Sequence, residues 1–344
     1  GTIDLLDHAG VERLSEARRA AEQMGALSTV AILDLQLAAA FTCRWELDTC
    51  DAHAQAAVGL AERLGLDQVR AKALTVLTGS ASMRADAGQT EHYAARAIAA
   101  APDDQMVEGI CWAGRGAVVL FGGEAAAAVE PYARGMAILA RLPHAEPAGL
   151  RALWPLLLAS LGDHRAARAI EEARRLGVGA IRHNRSLIGY AEAVLAGRAG
   201  QRQRASELAA GCDVGFTNGE AWGELARFLA APAALADGWG DPLRWLAEAE
   251  AGFDRRDLPR LAERCRELLK ESQPNPWVAA GITAREADVL RLVAGGLANK
   301  QIAARLRLSP RTVEKHVESL LRKTGARSRT GLVAAASSGR SPRI

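Results

Sequence analysis

The sequence predicts an all-α protein, a helical-repeat array followed by a small four-helix domain, and three observations predict it. Hydrophobic residues make up 49% of the chain and aromatics only 4%. Alanine is abundant throughout and runs of valine, isoleucine or threonine are few, so helix is favoured over sheet. Glycines followed by polar, then alanine-rich stretches recur at Gly88, Gly123, Gly162 and Gly200, separated by 35, 39 and 38 residues. Finally, three helix starts beyond residue 281 carry their caps in the sequence. A chain of 344 residues has room for about two such domains.

Residues 1–271 hold the array. Before each break lies an apolar stretch at helical spacing and after it an alanine-rich one, as in a helical hairpin: glycine ends the first helix and small side chains let the second pack closely. Turns near Trp45 to Asp51 and in DGWGDPLRW near Gly240 continue the rhythm less regularly. The period suits tetratricopeptide-like helix pairs, which stack because one pair alone cannot bury its apolar face. Only the glycine and alanine positions of that pattern are present, without its full aromatic and proline signature. Trp112, Trp154 and Tyr190 fall 8 to 11 residues before their glycines. They are either wedges between repeats or the lining of a groove for an effector or peptide.

PNPWVAAG at 274–281 cannot continue a helix, which places a linker at 272–281. The charge changes sign there as well. From Trp277 to Ile344 there are 13 Lys and Arg against 4 Asp and Glu, net +9, which leaves 30 against 36, net −6, for residues 1–276. A basic unit on an acidic body implies that one part meets a polyanion. Cys43, Cys50, Cys111, Cys212 and Cys265 form neither C-x-x-C pairs nor a zinc spacing, so buried free thiols in a reducing cytoplasm are expected, with no metal. No apolar stretch approaches the roughly 18 residues of a membrane span, and GTIDLLDHAG is unlike a signal peptide. A soluble cytoplasmic protein without a membrane partner is expected.

The second domain runs over 282–336, with a flexible tail at 337–344. Thr283 and Glu286 form a capping box ahead of a stripe of Val289, Leu290 and Val293, and Gly295 and Gly296 end that helix. Asn299 is placed to cap a second helix with Ile302, Ala303 and Leu306 facing inward. Ser309 caps a third, with Pro310 at its first position and Val313, Val317, Leu320 and Leu321 as its core face. Gly325 stops it, and Ser328 to Ala336 make a short fourth helix. Opposite the core of the third helix lie Arg311, Lys315, Glu318 and Arg322. Taken alone that stripe reads as a solvated face. Together with the caps, the fourth helix and the charge of +9, it reads as the outer face of a helix-turn-helix, whose second helix enters the major groove.

These residues resemble the LuxR-type helix-turn-helix. The match is carried by Thr283, Arg285, Glu286, Val289, Leu290, Gly296, Asn299, Lys300, Ile302, Ala303, Leu306, Ser309, Thr312, Val313, His316, Leu320 and Lys323, about a sixth of the chain. Helical repeats ahead of such a module resemble the C-terminal part of MalT-like (LAL) regulators, in which a nucleotide-binding switch domain precedes the repeats. There is no G-x-x-x-x-G-K-[ST] here. The resemblance implies base contacts from Glu314, Lys315 and Glu318, and sugar-phosphate contacts from Lys300, Ser309, Arg311, Thr312, His316, Arg322 and Lys323. It implies dimerisation through the fourth helix, where Leu332, Val333 and Ala336 offer an apolar face.

The acids depart from the family's usual pattern, in which a basic residue is common at the positions of Glu314 or Glu318. A carboxylate at a base edge can accept from cytosine N4 and repels groups that only accept, so it trades attraction for selectivity. The alternative for both is a solvated role at the groove edge, with Glu318 pairing Arg322 at i,i+4. His316 lies beside the core stripe and is either a packing residue or a phosphate contact.

The function expected is a sequence-specific DNA-binding transcription regulator, controlled through a repeat domain that senses or binds something. Its expected partners are double-stranded DNA, a second copy on DNA, RNA polymerase, and an effector or protein on the repeats. The alternative is a repeat scaffold in which DNA binding is secondary. No phosphate loop, H-E-x-x-H, G-x-S-x-G or dinucleotide fingerprint is present, so neither catalysis nor a cofactor is expected.

Overall fold

In the computed structural model, residues 8–142, 149–216, 219–272, 281–306 and 308–338 are described. They form eighteen α-helices and no strand. The chain divides into two compact units, Gly1–Leu269 and Lys270–Ile344. Most of the expected linker and tail, residues 273–280 and 339–344, lies outside the described residues.

The first unit is an array of helix pairs. After α1 (His8–Gln23) come α2 (Leu27–Cys43) with α3 (Leu47–Leu64), α4 (Asp67–Met83) with α5 (Ala87–Ala100), and α6 (Gln105–Phe121) with α7 (Val129–Leu139). Then follow α8 (Leu150–Leu161) with α9 (Ala166–Arg175), α10 (Arg182–Arg198) with α11 (Arg202–Asp213), and α12 (Glu220–Asp237) with α13 (Pro242–Arg255), before α14 (Pro259–Ser272). The two helices of each pair touch, and the first helix of each pair touches the first helix of the next.

One turn repeats through the array. Trp45, Ala85, Gly123, Gly162, Gly200 and Gly238 all have positive φ, at steps of 40, 38, 39, 38 and 38 residues. The next residue in each case donates its N–H to the carbonyl five positions back, at 2.9 to 3.2 Å. This 6→1 bond satisfies a carbonyl that the helix end would leave orphaned, and it needs a left-handed residue, hence glycine. The first break is therefore Ala85 and not Gly88, which is the second residue of α5. Asp86 caps that helix by accepting from the amide of Gln89 at 2.9 Å. At Ala85 and Trp45 a side chain stands where glycine is favoured, at a cost of about 1 kcal/mol each.

Small residues set how closely the pairs pack. A Cβ on Gly135 of α7 would lie 2.6 Å from the amide nitrogen of Ala113 on α6, so the two backbones can meet there only without one. Arginines cross from one pair to the next: Arg84 reaches Asp48 and Asp51, Arg96 reaches Glu62, and Arg115 grips Glu91 with two bonds of 2.7 Å. Tyr190 is fully buried and donates to Asp213 at 2.8 Å, and half-buried Trp154 stacks on Tyr132, so both are packing elements. The guanidiniums of Arg134 and Arg115 lie over the Trp112 ring, 3.9 and 4.7 Å from its centre. The five cysteines are free, all buried except half-buried Cys212. Burial pushes the thiols of Cys50, Cys111 and Cys265 up to about 12, which leaves them unreactive.

The second unit holds α15 (Ala284–Ala294), α16 (Asn299–Leu306), α17 (Pro310–Thr324) and α18 (Arg329–Ser338). Its core joins Ile282, Val289, Leu290, Val293, Ile302, Val313, Leu320 and Leu332 from every helix.

Candidate DNA interface

The C-terminal unit is built around α17. Ser309 caps it, accepting from the amide of Thr312 at 3.1 Å, Pro310 needs no amide at its first position, and Gly325 ends it at φ +70°. Val313 and Leu320 hold its inner face in the core, with Val317 and Leu321 half-buried beside them. The orientation of this helix is then fixed by one carboxylate.

That carboxylate is Glu286, 5% exposed. As the third residue of α15 it closes the capping box, accepting from the Thr283 amide at 2.7 Å. It also accepts from Ser319 at 2.6 Å and from Lys323 at 2.6 Å, both on α17. Burial alone would push this carboxyl up, but the bonds from Lys323, Ser319 and Thr283 outweigh it and hold it at about 2, against an ordinary 4.5. A buried carboxylate requires a counter-charge, and Lys323 supplies it. Lys323, expected to face phosphate, has its ammonium bonded to Glu286 instead of standing open like its exposed neighbours.

Two arginines brace the turns. Arg285 donates to the carbonyl of Leu306 at 2.6 Å, at the end of α16. Arg329 donates to Asn299 Oδ1 at 2.7 Å and also to the carbonyl of Leu297. Asn299 therefore does not cap α16. Its side chain is taken by Arg329, and the opening carbonyl belongs to Ala298, whose amide donates to Gln301 Oε1 at 2.8 Å. The role of Arg329 was missed in the sequence. Its signal was a basic residue at a helix start, where the helix dipole disfavours it.

Outward, α17 presents Arg311, Glu314, Lys315, Glu318 and Arg322, all exposed. Among the described residues no ion pair or hydrogen bond engages any of these five side chains, and Glu318 does not pair with Arg322. Lys300 is exposed on α16, Ser309 is exposed and bonded to Thr312 Oγ1 at 2.8 Å, and Thr312 and His316 are half-buried. Leu332 is 0% exposed. The expectation that it lies on an uncovered apolar face is thus corrected: it fills the core of its own domain, because α18 turns that side towards α15. Val333 is half-buried, and the side chain of Ala336 lies outside the described residues.

With this geometry in place, residues 280–336 match the family of bacterial regulatory proteins of the luxR type. This unit is a LuxR-family domain. The chain is 40% identical over 98 residues to response regulator Rre1 of Synechocystis sp., covering 26% of this chain and 42% of that protein. It is 42% identical over 103 residues to the nitrate/nitrite response regulator NarP of Escherichia coli, covering 27% and 46%. An HTH-type transcriptional regulator of Mycobacterium bovis is 52% identical over 52 residues, 15% of this chain and 6% of that protein. The chain thus spans less than half the length of these curated relatives. No helix among the described residues is long and apolar enough to cross a membrane.

Proposed function

We propose that this chain regulates transcription by binding duplex DNA through the outer face of α17, and that its helical array is the part that senses or binds a regulating partner. The observation that carries the DNA reading is the charged stripe of α17, exposed and without partners among the described residues, on a helix that is otherwise anchored. Arg311 and Arg322, with Lys300 from α16, supply attraction to phosphate, helped by Ser309, Thr312 and His316. Glu314, Lys315 and Glu318 face the base edges. In this reading a lysine seeks guanine O6 and N7, and a glutamate accepts from cytosine N4, so the half-site includes a C·G step.

Response regulators and HTH-type regulators among the relatives support the class. A dimer on DNA through α18, with Val333 and Ala336 in place of Leu332, and contact with RNA polymerase belong to the same reading. Binding of the full chain to duplex DNA, titrated at several salt concentrations, tests it. A steep fall of affinity with salt, reduced by about 0.9 in slope for each phosphate-contacting cation removed, is expected. Binding that is weak and indifferent to salt would favour a scaffold role for the array instead.

A further inference from the structure

The array makes a contact along its length that neighbour-to-neighbour stacking does not require. Trp222, near the start of α12 in the sixth helix pair, is fully buried and donates its Nε1 hydrogen to the carbonyl of Cys43 at the end of α2 in the first, at 2.8 Å. The rings of Trp45 and Trp222 meet at 5.0 Å and 66°, and Trp45 sets its other side against Phe121 at 5.5 Å and 85°. His183, from the start of α10, stacks on Trp222 at 5.8 Å. Leu47 and Met83 consequently belong to the same core cluster as Trp222 and not to the cluster of the early helices around them.

Trp45 is also the bulkier of the two non-glycine residues in the repeating turn, the other being Ala85. At the corresponding position Gly123, Gly162, Gly200 and Gly238 supply the left-handed backbone without strain, whereas Trp45 adopts φ +61° with a large side chain. A bulky residue at a site that favours glycine implies that its side chain offsets the strain, and its contacts here are Phe121 and Trp222.

We propose that Trp45 and Trp222 form a latch that closes the array on itself, holding its first helix pair against its sixth, and that the array opens by breaking this contact. Opening leaves every pair-to-pair interface intact, because in a stacked array each unit depends on its neighbours alone. The acceptor is a carbonyl of the last turn of α2, which water can satisfy when the latch parts. Trp45 is only partly buried. What opening uncovers is the buried aromatic face around Trp222, so the latch decides whether the inside of the array can be reached.

Hydrogen exchange of the full chain, read peptide by peptide and paired with small-angle scattering, tests this. Trp45→Gly relieves the backbone strain and removes the ring. It should speed amide exchange in 219–226 by about tenfold and enlarge the radius of gyration, while α8, α9 and the C-terminal unit keep their protection. Trp222→Phe keeps a ring and removes only the N–H donor, and should speed exchange in 42–47 and 219–226 by about threefold. It carries the test alone if circular dichroism shows that the glycine variant is unfolded. Unchanged exchange in 219–226 would overturn the latch. So would a uniform rise across all helices, the signature of an ordinary core residue.

Discussion

The array and the C-terminal unit use the same charged residues in opposite ways. Between helix pairs, Arg84, Arg96 and Arg115 are each bonded to carboxylates of the preceding pair, and Arg198 to the carbonyl of Ser160. In the C-terminal unit Glu286, Lys323, Arg285 and Arg329 are likewise consumed in fixing the helices. Along the outside of α17, by contrast, five charged side chains have no hydrogen-bond or ion-pair partner among the described residues. A charge that the fold engages is explained by the fold. A stripe that the fold leaves open, on a helix whose inner face is pinned, is the part of the protein that remains for a partner.

The largest expected effect that sharpens this contrast is at Leu332. Placing a carboxylate in a fully buried core site with Leu332→Glu should cost more than about 3 kcal/mol, unfold the C-terminal unit and abolish DNA binding with it. Calorimetry showing an unchanged transition for that unit, with DNA binding alone lost, would return Leu332 to an interface.

Glu286 comes next. Its folded value of about 2 lies below the ordinary 4.5, so its contribution is complete above pH 4.5 and is lost as pH falls towards 2. The difference corresponds to roughly 3 kcal/mol. Glu286→Gln should lower the melting temperature of the C-terminal unit at pH 7, and the gap to wild type should close on acidification through that window. A gap that persists at pH 2 would mean that the charge is not what holds α17.

How much was legible in the sequence follows the same division. The caps at Thr283 and Ser309, the core stripe of α17 and the period of the array are local, and short-range spacing reveals them. The partners of Lys323 and Asn299, which are Glu286 and Arg329, lie 37 and 30 residues away, beyond the reach of short-range spacing, and helix periodicity alone does not say which polar face another helix will cover. The burial of Leu332 is hidden from helix periodicity for the same reason. The Trp45–Trp222 contact spans the array and has no sequence spacing to announce it, although an aromatic at a glycine-favouring turn was a clue.

Smaller effects should mark the two kinds of cation. Arg311→Ala and Arg322→Ala should weaken binding to all duplexes alike and flatten the salt slope by about 0.9 each, with little change in melting temperature. Arg84→Ala, whose partners are the fully exposed Asp48 and the partly exposed Asp51, should destabilise the array only slightly and leave DNA binding untouched. The reverse pattern for either would erase the contrast between engaged and open charges.

The most direct test is titration of wild type and Glu314→Ala against a selected site and a scrambled duplex at two salt concentrations. If Glu314 reads a base, its removal should tighten binding to the scrambled duplex, because a negative charge leaves a DNA-facing surface. The same change should cost about 1 to 3 kcal/mol on the selected site, so the ratio of the two affinities collapses. Parallel shifts on both duplexes would contradict base reading and leave Glu314 a solvated residue beside the groove.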